Sequence, residues 1–150
     1  MAVLVTKKRQ QGFTLLELLI AVSLLAIGLL AAASMQGVAI NANSFANKNS
    51  IATSIAQEVM ETLMSLPVDS PTVVTAVTNA IWDLDPATAG TTLTIPAAGT
   101  YQALYTTRLD TPTPSVTTFI VTVNQLNPDG TVKKTMLTYT SFKRATRQTI

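Results

Sequence analysis

Hydrophobic and polar positions divide this chain into three unlike stretches. From Leu15 to Ile40 nearly every side chain is apolar, and between Glu17 and Lys48 there is no charge. From Asn41 to Leu66 apolar residues recur at helical spacing among polar ones. Beyond Pro67 the chain turns to Thr, Val, Pro and Ala, in β-branched runs broken by turn formers. Leu15 to Ala33 would measure about 28 Å as a helix at about 1.5 Å per residue, close to the roughly 30 Å of bilayer hydrocarbon. The first stretch therefore predicts one membrane-spanning helix.

The second stretch predicts a continuation of that helix in a different environment. Phe45, Ile51, Ala52, Ile55, Ala56, Val59, Leu63 and Leu66 fall on one face at about 100° per residue. Gln57, Glu58 and Glu61 fall outside that face, and Pro67 ends the pattern. A single helix from Phe13 to about Leu66, near 80 Å long at the same rise per residue, is the expectation. Gly28 and Gly37 interrupt it, each at a cost of up to about 1 kcal/mol relative to Ala. They read either as points of close helix approach or local melting, or as tolerated small residues in an Ala-rich span.

In the third stretch, Thr91–Ile95, Tyr101–Leu109, Val116–Leu126 and Thr131–Phe142 read as strands. Val73–Val77, ahead of Asn79-Ala80-Ile81-Trp82, reads as a short strand or a loop. Phe119, Val121 and Val123 alternate with Thr118, Thr122 and Asn124, although Ile120 breaks strict alternation. Asn127-Pro128-Asp129-Gly130 joins the last two strands as a hairpin with a four-residue loop or a bulged variant. Pro112 and Pro114 mark a loop. The fold class is α+β: a long N-terminal helix, membrane-spanning in its first half, packed under a small antiparallel sheet of three or four strands.

Composition narrows the chemistry. Apolar residues make up 47% of the 150, and the mean hydropathy is +0.35, with much of the excess ahead of Asn41. The formal charge of +2 comes from 10 basic and 8 acidic residues. Removing residues 1–12 takes Lys7, Lys8 and Arg9 and no acid, which leaves −1 and no basic face for nucleic acid. There is no Cys and no His, which excludes disulfides, thiolate chemistry, His-ligated metal and His general bases. Paired carboxylates or a Ser/Lys arrangement at catalytic spacing are not evident in the head, so no enzyme activity and no cofactor are expected. Asp83, Asp85 and Asp129 lack the further oxygen ligands and glycine turn of a dedicated calcium loop, so no metal site is expected. Trp82 is expected half-buried at a loop or edge of the head, and Lys143, Arg144 and Arg147 form a basic tail read as solvated.

Glu17 is the outlier. A lone acid costs roughly 2.5–3.5 kcal/mol at the centre of a membrane helix, so it asks for a functional explanation. Around it the sequence runs Lys7-Lys8-Arg9-Gln10-Gln11-Gly12-Phe13-Thr14-Leu15-Leu16-Glu17. A secretory signal peptide also has a basic start and an apolar run, but its apolar region is shorter and no acid opens it. The combination of basic leader, Gly-Phe junction, acid four residues on and long apolar run resembles the processing site of type IV prepilins and of type II secretion pseudopilins. The resemblance covers residues 7 to about 40.

That resemblance implies a bacterial inner-membrane protein with a periplasmic head, in which a prepilin peptidase cuts after Gly12 and methylates Phe13. It implies segments 1–12 as the removed leader, 13–40 as the transmembrane and filament-core half of the helix, 41–66 as its amphipathic half and 67–150 as the head. Lys7, Lys8 and Arg9 hold the leader on the cytoplasmic side. Glu17 is implied as the assembly residue that pairs with the new Phe13 amine and fixes axial register. The implied partners are the peptidase, other pilins and minor pilins, the inner-membrane assembly platform and lipid. Many type IV pilins close a C-terminal loop with a disulfide, which this chain without cysteine cannot, and major pilins often carry a helix proline, of which there is none from Phe13 to Leu66. Ala26-Ile27-Gly28-Leu29-Leu30 with Met35-Gln36 resembles the PilV-type minor pilins. A minor pseudopilin of type II secretion is the alternative, and a single-pass anchored binding module a third reading.

Overall fold

In the computed structural model, residues 12–85 and 90–144 are described. Lys7, Lys8, Arg9 and Arg147 lie outside them. The chain divides into two compact units, Met1–Ala42 and Asn43–Ile150. Helix α1, Leu15–Ser65, begins in the first and ends in the second. It is one uninterrupted helix of 51 residues, two residues shorter at its start than Phe13 and one shorter at its end than Leu66.

In the first unit every described side chain is exposed. Leu15, Leu25 and Leu30 are 79%, 62% and 72% accessible, so nothing in this chain covers the apolar run. The segment is long and apolar enough to cross a membrane. Ser23 and Ser34 return their hydroxyl protons to the carbonyls of Leu19 and Ala31, each at 2.8 Å, so their hydroxyl donors are satisfied within the helix. No atom lies within 4 Å of a Cβ placed on Gly28 or Gly37. Neither glycine is required by packing within this chain.

The second unit builds its core on the last turns of α1. Ala52, Ile55, Ala56, Val59, Met60 and Leu63 are buried there. The periodicity placed the face correctly but not its two margins: Phe45, counted in the face, stays 51% exposed, whereas Met60, not counted in it, is 4% exposed. Phe45 instead lies under a cation, with Lys134 Nζ 4.8 Å from the ring centre.

After α1 come a short helix α2 (Pro71–Val74) and strands β1 (Val77–Ile81), β2 (Leu93–Ile95), β3 (Gly99–Arg108), β4 (Val116–Leu126) and β5 (Val132–Arg144). The ambiguous Val73–Val77 stretch resolves into the end of α2 and the start of β1. Pro71 begins the helix where its missing N–H costs nothing, and Thr107 and Thr117 hold α2 by donating to the carbonyls of Thr72 and Val73.

All pairings are antiparallel, in the order β1-β3-β4-β5. β2 shares one edge of β3 with β1: β1 pairs up to Leu104–Thr107, and β2 pairs Gly99–Tyr101. The sheet has five strands, one more than the upper expectation; the added strand is β1, which carries Asn79 in a positive-φ conformation at a register shift. On β4, Phe119, Val121 and Val123 are fully buried, joining the α1 face in one cluster with Tyr101 and Ala103. Burial pushes the Tyr101 phenol pKa up, and its hydroxyl donates to the Ala98 carbonyl.

The β4–β5 hairpin takes the bulged form. The Gly130 N–H bonds to the Asn127 carbonyl at 3.0 Å, the Asn127 N–H to the Thr131 carbonyl at 2.8 Å, and Gly130 has φ +82°. Pro128 and Asp129 thus occupy the centre of a type I turn, followed by a left-handed glycine. Asp129 Oδ1 accepts from the Thr131 hydroxyl and amide, which lowers its carboxyl pKa.

Lys143 corrects the tail reading. It lies within β5 and donates from Nζ to the carbonyl of Met64 at 2.7 Å and to that of Leu66. The last turn of α1 has no basic residue of its own, so the negative end of the helix dipole receives its cation from the other end of the domain. Lys143→Met keeps the aliphatic stem and removes these charge-assisted bonds, with an expected loss of roughly 1.5–3 kcal/mol. Near-ultraviolet circular dichroism of detergent-solubilised full-length chain, reporting on Trp82, should show a lower unfolding midpoint. An unchanged midpoint counts against the cap.

Candidate functional site: the N-terminal junction

Gly12, Phe13 and Thr14 precede the first helical residue. The Gly12–Phe13 peptide is therefore not tied into helical hydrogen bonds. Phe13 is 85% exposed, and a shallow open depression is lined by Gly12, Phe13, Thr14 and Glu17. The structure brings the expected cleavage pair and the expected assembly acid onto one small surface.

Thr14 is why the helix starts where it does. Its Oγ1 accepts the Glu17 backbone N–H at 3.2 Å, and its carbonyl receives the Leu18 N–H at 3.2 Å. Thr14 is thus the N-cap and Glu17 the third helical residue, the spacing of a capping box. The sequence reading explained Glu17 by membrane cost and by the prepilin resemblance and did not include this cap, although Thr14-x-x-Glu17 before an apolar run is its signature. The cap orders the backbone around the acid, and the dipole favours a negative charge there.

Glu17 is the sole charged residue from Gly12 to Asn47, so its carboxylate finds no cation within that stretch of the intact chain. Cutting the Gly12–Phe13 bond would place an ammonium on Phe13, four residues from the acid and one before the cap. Such an arrangement offers charge pairing. Among the described residues no group of three or more His, Cys, Asp or Glu is placed to hold a metal. Asp83 Oδ1 accepts the Asp85 amide at 3.0 Å and Asp129 serves the β4–β5 turn, so these acids act in separate turns. Trp82 follows β1, half-buried, with its ring edge-on to Tyr105 at 5.4 Å and 87°.

Thr14→Ala is expected to cost the helix start about 1 kcal/mol. Amide exchange at Glu17 and Leu18 in detergent micelles should then quicken roughly fivefold, with Thr14→Ser close to the parent. Equal rates for the Ala and parent chains would rule out the cap.

Comparison with known families places residues 7–33 in a match to the prokaryotic N-terminal methylation motif. The match begins within the expected leader and covers the Gly12–Phe13 junction, the Thr14 cap and α1 as far as Ala33. It supports a type IV pilin- or pseudopilin-like chain, and the motif implies processing by a prepilin peptidase and assembly with other pilins. With the exposed apolar helix, it fits a protein anchored in the inner membrane. No curated protein and no solved structure matches the chain.

Proposed function

We propose that this chain is a minor pilin of the PilV type: a structural subunit, not an enzyme, inserted in the inner membrane, trimmed and methylated at Phe13, and then incorporated into or priming a type IV pilus. The observation that carries this reading is the junction itself. A non-helical Gly12–Phe13 bond, a threonine-capped helix start and a lone carboxylate stand at the head of an apolar helix that its own chain leaves uncovered. The Ala26–Leu30 and Met35-Gln36 resemblance supports the minor-pilin assignment.

The mechanism follows from the cost of charge in an apolar bundle. Once the bond is cut, an ammonium on Phe13 and the Glu17 carboxylate are each expensive to bury alone, by several kcal/mol. Pairing them, within one subunit or across two, removes much of that cost. Apolar side chains alone let helices slide along one another, whereas a charge pair is satisfied at one axial offset. Glu17 acts as a register pin that becomes active only after cleavage. Lys7, Lys8 and Arg9 hold the leader in the cytoplasm, where the peptidase can meet it.

N-terminal mass spectrometry of the membrane-extracted chain is expected to find methylated Phe13 as the first residue. In Gly12→Ala the leader should persist. In Glu17→Ala trimming should stay near parental levels while recovery in sheared surface filaments falls roughly tenfold or more. An intact Met1 in the parent points to a plain anchor. Parental recovery of Glu17→Ala in filaments sinks the register role.

A further inference from the structure

One cleft of the head carries negative charge that no lining residue neutralises. It opens between α1 and the chain that follows β1, with a volume of about 360 Å³. Glu58, Asp83, Trp82 and Tyr105 line it with apolar Ile81 and Leu84, and among the described residues no cation does. Asp83 Oδ1 accepts the Asp85 amide at 3.0 Å, which orders that carboxylate. Thr62, also on the wall, spends its hydroxyl proton on the Glu58 carbonyl. The Trp82 and Tyr105 rings meet edge-on at 87° with centroids 5.4 Å apart, so the pair presents ring faces in two directions. Glu58 comes from α1 and Asp83 from the segment after β1, so the two acids share the cleft only once the head has folded.

This lining selects its occupant by charge and by shape. Two carboxylates call for a cation, and the negative faces of the rings attract one as well. The apolar wall of Ile81 and Leu84 suits an aliphatic stem behind the charge. A metal ion fits poorly, because among the described residues no group of three or more acids is placed to hold one. A guanidinium fits on all counts: its plane stacks on a ring while its fork donates to a carboxylate. A lysine ammonium is a strongly hydrated point charge and does not do both.

We propose that this cleft receives an arginine side chain of a different pilin, a partner that follows from the minor-pilin reading above. Charge complementarity and ring geometry select the arginine. The minor role selects the donor: a contact of unlike patches between copies of this chain would array like copies in rings or filaments, whereas a subunit that primes or modifies a pilus is flanked by unlike ones. Glu17 fixes axial register among pilin helices, and the cleft adds discrimination between neighbours at the head.

Trp82 is the only tryptophan, so fluorescence of the detergent-solubilised full-length chain reads the cleft directly. N-acetyl-arginine amide is expected to change Trp82 emission, saturating in the millimolar range. The lysine analogue should bind more weakly, and the citrulline analogue, uncharged but of similar shape, should leave emission unchanged. Glu58→Gln with Asp83→Asn should weaken the arginine response roughly fivefold or more, with near-ultraviolet circular dichroism as in the parent. Equal responses to arginine and citrulline, or a response indifferent to the double substitution, overturn the arginine site.

The partner is read by placing photoreactive p-benzoylphenylalanine in place of Ile81, a lining side chain 50% exposed, in the full-length chain in its native cells. Mass spectrometry is expected to find a cross-link to another chain bearing the N-terminal methylation motif, close to an arginine. Glu58→Arg should cut the yield roughly fivefold or more, and exchanging that arginine for glutamate should restore it. Cross-links to a second copy of this chain, to lipid or to a protein without the motif overturn the pilin partner. The N-termini in the same cells keep the two claims apart. Mature Phe13 with no cross-link overturns the contact and leaves the minor-pilin reading standing. An arginine-selective cleft on chains that keep Met1 supports the site and counts against that reading, and with it against a pilin as the partner.

Discussion

Burial of the Ala52–Leu63 face of α1 under the sheet is the contact on which the head depends. Each Val, Leu, Ile or Met taken from water there contributes roughly 1.5–3 kcal/mol, and with no cysteine in the chain no disulfide can substitute for it. The same helix has no such cover before Ala42, where every described residue is exposed. One continuous α1 is therefore asked to satisfy two solvents. Its second half is completed by its own chain, and its first half must be completed by lipid or by other helices.

That division gives meaning to the N-terminal junction. Hydroxyls along both halves of α1 are satisfied locally: Ser23 and Ser34, like Thr53, Ser54, Thr62 and Ser65, bond back to their own helix, and Thr14 caps the first turn. The Glu17 carboxylate alone has no counter-charge between Gly12 and Asn47. The proposed cleavage would create that counter-charge at Phe13, which links a covalent event to an electrostatic one. The Thr14 cap means that the acid sits on ordered backbone when this happens.

The head shows a second economy of charge. α1 has no cation in its last turn, and Lys143 supplies one from β5. The chain end that looked like a solvated basic tail is, at this residue, part of the helix terminus. Arg144, the next residue, is exposed, and strand alternation turns neighbouring side chains to opposite faces of the sheet. Alternation thus splits two adjacent cations between an internal cap and an outward surface.

Much of this was legible in order along the chain. The apolar run, the helical face from Ile51 to Leu63, the Pro67 stop, the alternation of Phe119, Val121 and Val123 and the Asn127–Gly130 turn are local patterns, because spacing along the backbone decides which way a side chain points. The Gly12-Phe13 junction and Glu17 were legible for the same reason, and the Thr14 cap was legible but overlooked. Tertiary structure alone decided where Lys143 points, that Met60 is covered while Phe45 meets Lys134, and that the Asn79 stretch becomes an edge strand beside β2. Those outcomes depend on which strand lies across which helical turn, a relation between residues as far apart as Met64 and Lys143 that no local periodicity contains.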